Sequence, residues 1–225
     1  MGILHRMLNR KENQKRFLFE RIAMERQEAL KKISTLIGQD LRPLADKLGV
    51  TVRKNDKPNK GWAGHVIERF LGLPLNSAQS PNFGSWELKV VPLRYQKDGS
   101  LTIKETMAIT MIDPYEIAAK EFKDSHLFNK LQKILIVSRI FENKEETSAI
   151  VHKVAEFDLK NEEIYLQVKA DYDLVRNVIK ASGFSTLSGR MGVLVQPRTK
   201  GPGHGSTSRA FYARTGFVKS ILGIE

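Results

Sequence analysis

Asn59-Lys60-Gly61-Trp62-Ala63-Gly64, then Glu68, then Gly84-Ser85-Trp86-Glu87-Leu88-Lys89: the stretch from Asn59 to Lys89 decides the fold of this chain. Trp62, Val66 and Phe70 recur at helical spacing with Ile67 and Leu71 beside them, and Gly72 and Pro74 end the run. Glu68 therefore rides on a short helix among apolar neighbours. Trp86 to Leu93 reads as a strand entered from a turn. A period of two puts Glu87 and Lys89 on one face, Leu88 and Val90 on the other. A carboxylate and an ammonium so placed can hold a divalent cation and, beside it, a polarised water, the minimal equipment for metal-assisted phosphodiester hydrolysis. Taken alone the tripeptide is unspecific, because the wet face of an edge strand carries the same residues.

Working outward, a turn at Lys97-Asp98-Gly99-Ser100 leads to a second strand over Leu101 to Ile112, a hairpin signature. Asp113-Pro114 opens a helix, with Asp113 as cap and Pro114 in the first turn, running to about Lys123. Ile134 to Phe141 is nearly all apolar, as in a strand covered on both faces. Ile150 to Leu159 and Ile164 to Val168 read as further strands, Asp171 to Ala181 as a helix, and Val193 to Val195 as a short strand. Thr199 to Ser208, rich in glycine, reads as a mobile loop that lacks the ending of a phosphate-binding loop and leaves His204 in solvent. Towards the N-terminus, Lys11 to Ile37 reads as an amphipathic helix carrying Ile22, Leu30, Ile33 and Ile37, and a second short helix ends at Gly49. Arg53 to Lys60 reads as a basic loop.

Across 225 residues, 37 Lys and Arg stand against 25 Asp and Glu, a net charge of +12. Such an excess favours a polyanionic partner, because each phosphate neutralised releases counterions. No apolar run approaches the ~18 residues of a spanning helix, and the basic N-terminus has no secretory core. With no cysteine, disulfides, thiol catalysis and thiolate metal sites are excluded. These features predict a cytoplasmic protein whose metal, where one binds, is held by oxygen or histidine.

The block Lys60-Gly61-Trp62-x-Gly64-x-x-x-Glu68 followed by Glu87-Leu88-Lys89 resembles the MutH family. That family comprises the mismatch-repair nicking endonuclease and related type II restriction endonucleases of the PD-(D/E)XK fold. The likeness continues in Glu105-Thr106, placed in the second strand of the hairpin, and in Ser125-His126 with Lys130-Leu131. Tyr165-Leu166-Gln167 matches a Y-L-Q strand, and Arg209-Ala210-Phe211-Tyr212 an R-G-F-Y segment. The resemblance implies an α/β fold, a mixed sheet flanked by helices with two lobes around a DNA cleft. It divides the chain into an N-terminal helical segment (1–52), a catalytic lobe (53–145) and a DNA-recognition lobe (146–225).

Carried over by position, the resemblance implies that Glu68, Asn82, Glu87 and Lys89 are the catalytic set. Asn82, Glu87, Leu88 and Glu68 would form the metal site, with Lys89 orienting the attacking water. Lys60, Gly61, Lys130, Lys169, Asp171, Arg209, Tyr212 and Arg214 would meet DNA, Lys130 at a phosphate and Tyr212 in the base-reading region. Two departures stand out. Asn82-Phe83 occupies the place of the family's Asp-Phe, and a neutral amide is a poorer Mg²⁺ ligand than a carboxylate; this reads as an inactivated Asp-to-Asn form. Lys169 and Asp171 stand where two basic readers follow the family's Y-L-Q, and an aspartate accepts from cytosine instead of donating to guanine. The expected function is a Mg²⁺-dependent (Mn²⁺ substituting), sequence-specific endonuclease of double-stranded DNA, a type II restriction enzyme, monomer or homodimer. The alternatives are a mismatch-repair nickase with a repair partner, or a DNA-binding module that has lost catalysis.

Overall fold

The structure is a computed structural model that describes residues 24–54, 57–72, 85–201 and 207–224. Asn82 and His204, and the first part of the expected N-terminal helix, lie outside the described residues. Two sheets and a small ribbon organise it. The ribbon pairs β1 (Arg53–Lys54) with β2 (Lys57–Pro58), so the segment expected as a basic loop is a tight antiparallel pair. The first sheet has the order β4-β3-β6-β7, built from β3 (Glu87–Tyr95), β4 (Leu101–Ile103), β6 (Lys133–Ile140) and β7 (Val151–Asp158). Its central pair β3–β6 is parallel and both outer pairings are antiparallel. The second sheet, β5-β9-β8, is antiparallel throughout and uses β5 (Met107–Met111), β8 (Val195–Thr199) and β9 (Arg209–Ala213).

Each face of the first sheet carries its own apolar cluster, as the period of two requires. Ile134 and Ile136 of β6 join Val91 and Leu93 of β3 on one face, while Leu135 and Val137 join Leu88 on the other. This is why the run from Ile134 shows no alternation: both of its faces are buried. The second face is covered by three helices, α1 (Arg26–Ser34), α2 (Leu41–Lys47) and α3 (Trp62–Phe70), which contribute Ile33, Leu41, Trp62, Val66 and Ile67. The first face meets α4 (Pro114–Ala119), α5 (His126–Leu131), α6 (Glu162–Ser182), α7 (Thr215–Leu222) and the second sheet. The result is an α/β fold in which a mixed sheet is flanked by helices.

Several expectations need correction. The strand expected over Leu101 to Ile112 is two strands in different sheets: Lys104 N–H donates to Pro92 O at 2.9 Å, and the chain then crosses to pair with β9. Glu105-Thr106 therefore lies in the crossing, outside either strand. The helix opened by Asp113 does form, with the carboxylate accepting from Tyr115 N and Glu116 N, but it ends at Ala119. Ile164 to Val168 is helix, because α6 begins at Glu162 with the Asn161 side chain accepting from Ile164 N and Glu162 and Glu163 in its first turn. The boundary at 145/146 does not separate the sheets: β7 belongs to the first and β5 to the second.

Candidate active site

Glu87 opens β3 at the sheet end nearest α5 and is 1% exposed. The parallel register sets Glu87 opposite Ile134 and Lys89 opposite Ile136, so both polar side chains emerge on the face that buries those isoleucines. Lys89 Nζ lies 2.6 Å from Glu87 Oε1, which confirms that the two share a face. Trp86 and Leu88 anchor the same strand from behind, packing with Trp62, Val66 and Ile67 of α3, and Trp86 Nε1 donates to Met24 O at 2.8 Å.

Two further elements bring charge to this point. On α3, Glu68 follows the buried pair Val66 and Ile67 and is itself half-buried. Its pKa is pushed up to about 7, first by burial and then by the negative charge of Glu87, while Lys89 opposes the shift. On α5, Lys130 sits in the last turn between the buried Leu127 and near the buried Leu131, and its Nζ donates to Glu87 Oε1 at 3.3 Å. The helix is set by Ser125, whose Oγ accepts from Phe128 N at 3.1 Å and donates to Phe122 O at 2.6 Å. Burial lowers the Lys130 pKa, Glu87 raises it, and Lys89 and Lys200 lower it further. Lys200, which the sequence reading passed over, stands just after β8, and its own pKa is lowered by burial and then by Lys89.

Glu68, Glu87, Lys89 and Lys130 thus converge from a helix, a strand and a second helix. Among the described residues no group of three or more His, Cys, Asp or Glu gathers as a metal cage. What gathers is a pair of carboxylates close enough for one to raise the other's pKa. Hard carboxylate oxygens suit Mg²⁺ or Mn²⁺, and a cation between them would relieve their repulsion, so the donor set fits a divalent ion.

The remaining expected residues separate into two groups. Lys60 and Gly61 form the exposed turn into α3, where Asn59 Oδ1 accepts from Gly61 N at 3.3 Å. Arg209 and Tyr212 lie on β9, with Tyr212 paired to Gln196 of β8 and the Arg198 guanidinium 5.9 Å from its ring centroid. Burial raises the Tyr212 pKa. Lys169 and Asp171 belong to neither site. Both lie on α6; Lys169 is paired with Asp173 at 2.6 Å, and Asp171 is only 2% exposed. The Asp171 carboxylate accepts from Val193 N, Leu194 N and Val195 N at 2.7, 2.7 and 2.9 Å, and from Gln167 Nε2 at 3.0 Å. A carboxylate so occupied cannot address a base. Arg214 has the complementary task, donating to the carbonyls of Gly189, Gly192 and Met191. Together they fix the turn that launches β8. The Y-L-Q match at Tyr165 fails because those residues are helical, and the strand beside the Arg209–Ala213 segment is Val195–Thr199. Of its polar residues Arg198 is exposed and donates to Thr106 Oγ1 at 2.9 Å, whereas Gln196 is buried.

A half-buried glutamate, a buried glutamate and two lysines thus gather at the end of a mixed sheet. The family model described as "DNA mismatch repair enzyme MutH" matches residues 71–171, which include Glu87, Lys89 and Lys130. The DNA mismatch repair protein MutH of Vibrio campbellii is 27% identical over 216 residues, covering 87% of this chain and 92% of that protein. That of Shewanella woodyi is 28% identical over 213 residues, covering 87% and 90%. A solved restriction endonuclease MvaI–cognate DNA substrate complex is similar at 12% identity and a TM-score of 0.36, over 80% of this chain and 94% of that one. The chain is thus similar to MutH mismatch-repair proteins over most of its length. Among the described residues no helix is long and apolar enough to cross a membrane.

Proposed function

We propose that this endonuclease is Mg²⁺-dependent, cuts duplex DNA at a specific sequence, and acts as a type II restriction enzyme. The observation that carries the reading is Glu87, 1% exposed yet held 2.6 Å from Lys89 and 3.3 Å from Lys130, with Glu68 near enough to feel its charge. Burying such a group without function is costly, and perturbed carboxylates beside lysines are what hydrolytic sites assemble. Glu87, Glu68 and Leu88 would hold the cation, which when bound supplies Lewis acidity and an acidified water. Lys89 would orient that water. Lys130 would hold the phosphate under attack and offset its developing charge. Asn82 would complete the metal site less well than an aspartate.

Sequence reading is assigned to the outward face of β8 and β9. Arg198 is exposed and Tyr212 half-buried, with the guanidinium 5.9 Å from the ring centroid, while Gln196 beside Tyr212 in register is buried. In a major groove Arg donates to guanine. Lys60 and Gly61, ahead of Glu68, and Arg209 on β9 would contact the backbone. The division into a catalytic part within 53–145 and a reading part within 146–225 is kept as a functional one, with the sheets interlocked across it.

A second reading, a mismatch-repair nickase with a repair partner, is favoured by likeness to repair proteins over nine-tenths of their length. The test is to incubate the Asn82→Asp form with Mg²⁺ and plasmid and to sequence the ends. Breaks in both strands at one sequence support restriction, and nicks in one strand support repair. Intact plasmid with Mg²⁺ and with Mn²⁺, despite tight duplex binding, would leave a DNA-binding module that has lost catalysis.

A further inference from the structure

Towards the end of the first sheet away from Glu87, three features gather that stability alone would not select. Arg139, on β6 opposite Pro92, is buried and paired at two points with Glu146, Nη1 to Oε2 at 2.6 Å and Nη2 to Oε1 at 3.0 Å. Exchanging a buried ion pair for apolar side chains of similar volume is often neutral or stabilising, so stability does not account for this one. Glu146 is buried as well, and its φ of +54° lies in the left-handed region that L side chains enter at a cost. Among the described residues no other non-glycine has a positive φ. The Arg139 guanidinium lies 5.2 Å from the ring centroid of Trp62, which is fully buried with no hydrogen-bond partner for its Nε1.

What this pair holds is the start of α3. Leu135, Val137 and Arg139 alternate onto one face of β6, the face that α3 covers. Trp62 is the first residue of α3 and lies against Arg139. Glu68 follows on the same helix, about 9 Å along its axis, where the charge of Glu87 reaches it. Beyond it, Arg69 Nη1 donates to Leu48 O at 2.6 Å and to Gly49 O at 3.1 Å. The helix is therefore tied at both ends, and Glu68 stands between the ties. A guanidinium fixed at two points offers the indole a flat surface in one position, whereas an aliphatic side chain would let the ring settle in several.

We infer that Arg139, locked by Glu146, is a positioning residue that acts through Trp62 to set where α3 lies on the sheet, and so where Glu68 stands beside Glu87. The inference rests on the reading of Glu68 as part of the cutting site, and one arm of its test is independent of that reading. Because the chain has no cysteine, spin labels attached through His65→Cys on α3 and Ser220→Cys on α7 go to those positions alone. The two helices cover opposite faces of the sheet, so the distance distribution between the labels reports the position of α3. That distribution, the urea midpoint and metal-free duplex affinity are compared for the parent chain, Arg139→Met combined with Glu146→Met, and Arg139→Lys. Single-turnover cleavage is compared for the same set in the Asn82→Asp background. The paired apolar variant is expected to keep or raise the urea midpoint and to keep duplex affinity. Its distance distribution is expected to be displaced or broadened, and its cleavage to slow by about tenfold to a hundredfold, the scale of a misplacement of about 1 Å. Arg139→Lys retains the ion pair and is expected to recover part of both.

An unchanged distance distribution overturns the inference, whether or not the parent cuts DNA. A displaced distribution with an unchanged cleavage rate overturns it too, because Glu68 would then need no such placing. So does a lowered urea midpoint or a failure to fold in the paired variant, which would make the ion pair a structural one. If the Asn82→Asp form itself does not cut, the endonuclease reading fails, and a displaced distribution at an unchanged midpoint still supports Arg139 as the residue that places α3.

Discussion

Truncating Asp171 to alanine is the perturbation that best separates structure from reading. Its carboxylate accepts three consecutive main-chain N–H groups at 2.7, 2.7 and 2.9 Å and one amide at 3.0 Å. Hydrogen bonds to a charged group contribute about 1.5–3 kcal/mol each, and a buried donor left without an acceptor costs about 1–3 kcal/mol. Val193 is exposed, so its N–H would find water in the variant. Val195 is 1% exposed and Leu194 half-buried, so these N–H groups would not be fully rehydrated. Counting Val195 in full and Leu194 in part gives a loss of about 3–5 kcal/mol, against about 5–15 kcal/mol for a whole domain. Urea unfolding followed by tryptophan fluorescence reads this directly, because Trp62 and Trp86 are both buried. A change below about 0.5 kcal/mol, the range of ordinary surface substitutions, would refute the anchoring role. If site preference changed at the same time, the base-contact role expected from sequence would return.

Other outcomes follow from the same structure. Gly192 has φ +75°, and a Cβ there would lie 1.9 Å from Val195 O and 3.1 Å from Asp171 Cγ, so Gly192→Ala should lower the melting temperature markedly. Because the folded-state pKa of Glu68 is raised to about 7 from 4.5, the native state binds the extra proton. In metal-free buffer its contribution is therefore most favourable below pH 4.5 and declines as pH rises to about 7. Glu68→Gln should flatten that part of the stability–pH curve, measured by denaturant unfolding across the window. Arg198→Ala and Tyr212→Ala should reduce the preference for the cut sequence over single-base variants, by about 1–3 kcal/mol for a lost base contact, measured by competition binding. Equal loss on all duplexes would reassign them to the backbone.

The carboxylate–lysine cluster was legible because its signals are local. Glu87 and Lys89 lie two apart on a strand whose other face is visibly apolar, and Glu68 follows helical spacing that begins at a tryptophan. The central strand β6 was legible for the same reason. The surroundings of β8 and β9 were not. Ile164, Leu166 and Val168 alternate like a strand, yet Tyr165, Val168, Tyr172 and Val175 also recur along one helical face, and the Asn161 cap decides for the helix. Read as a strand, that segment puts Asp171 in a base-reading position that its burial forbids. The break after Ile103 was hidden because both successive strands are half-buried, and only the long-range pairing with β9 divides them. Lys200 carries no motif at all; its place depends on the pairing of β8 with β9.

Glu87 and its neighbours are proposed to perform metal-dependent cutting of duplex DNA. Its most direct test is single-turnover cleavage of the sequence identified from plasmid ends, comparing Asn82→Asp alone with Asn82→Asp combined with Glu87→Ala, with metal-free duplex binding measured in parallel. Mg²⁺-dependent cutting is expected from the first and none from the second, with duplex binding nearly equal in both. Substantial Mg²⁺-dependent cutting by the combined variant would contradict it.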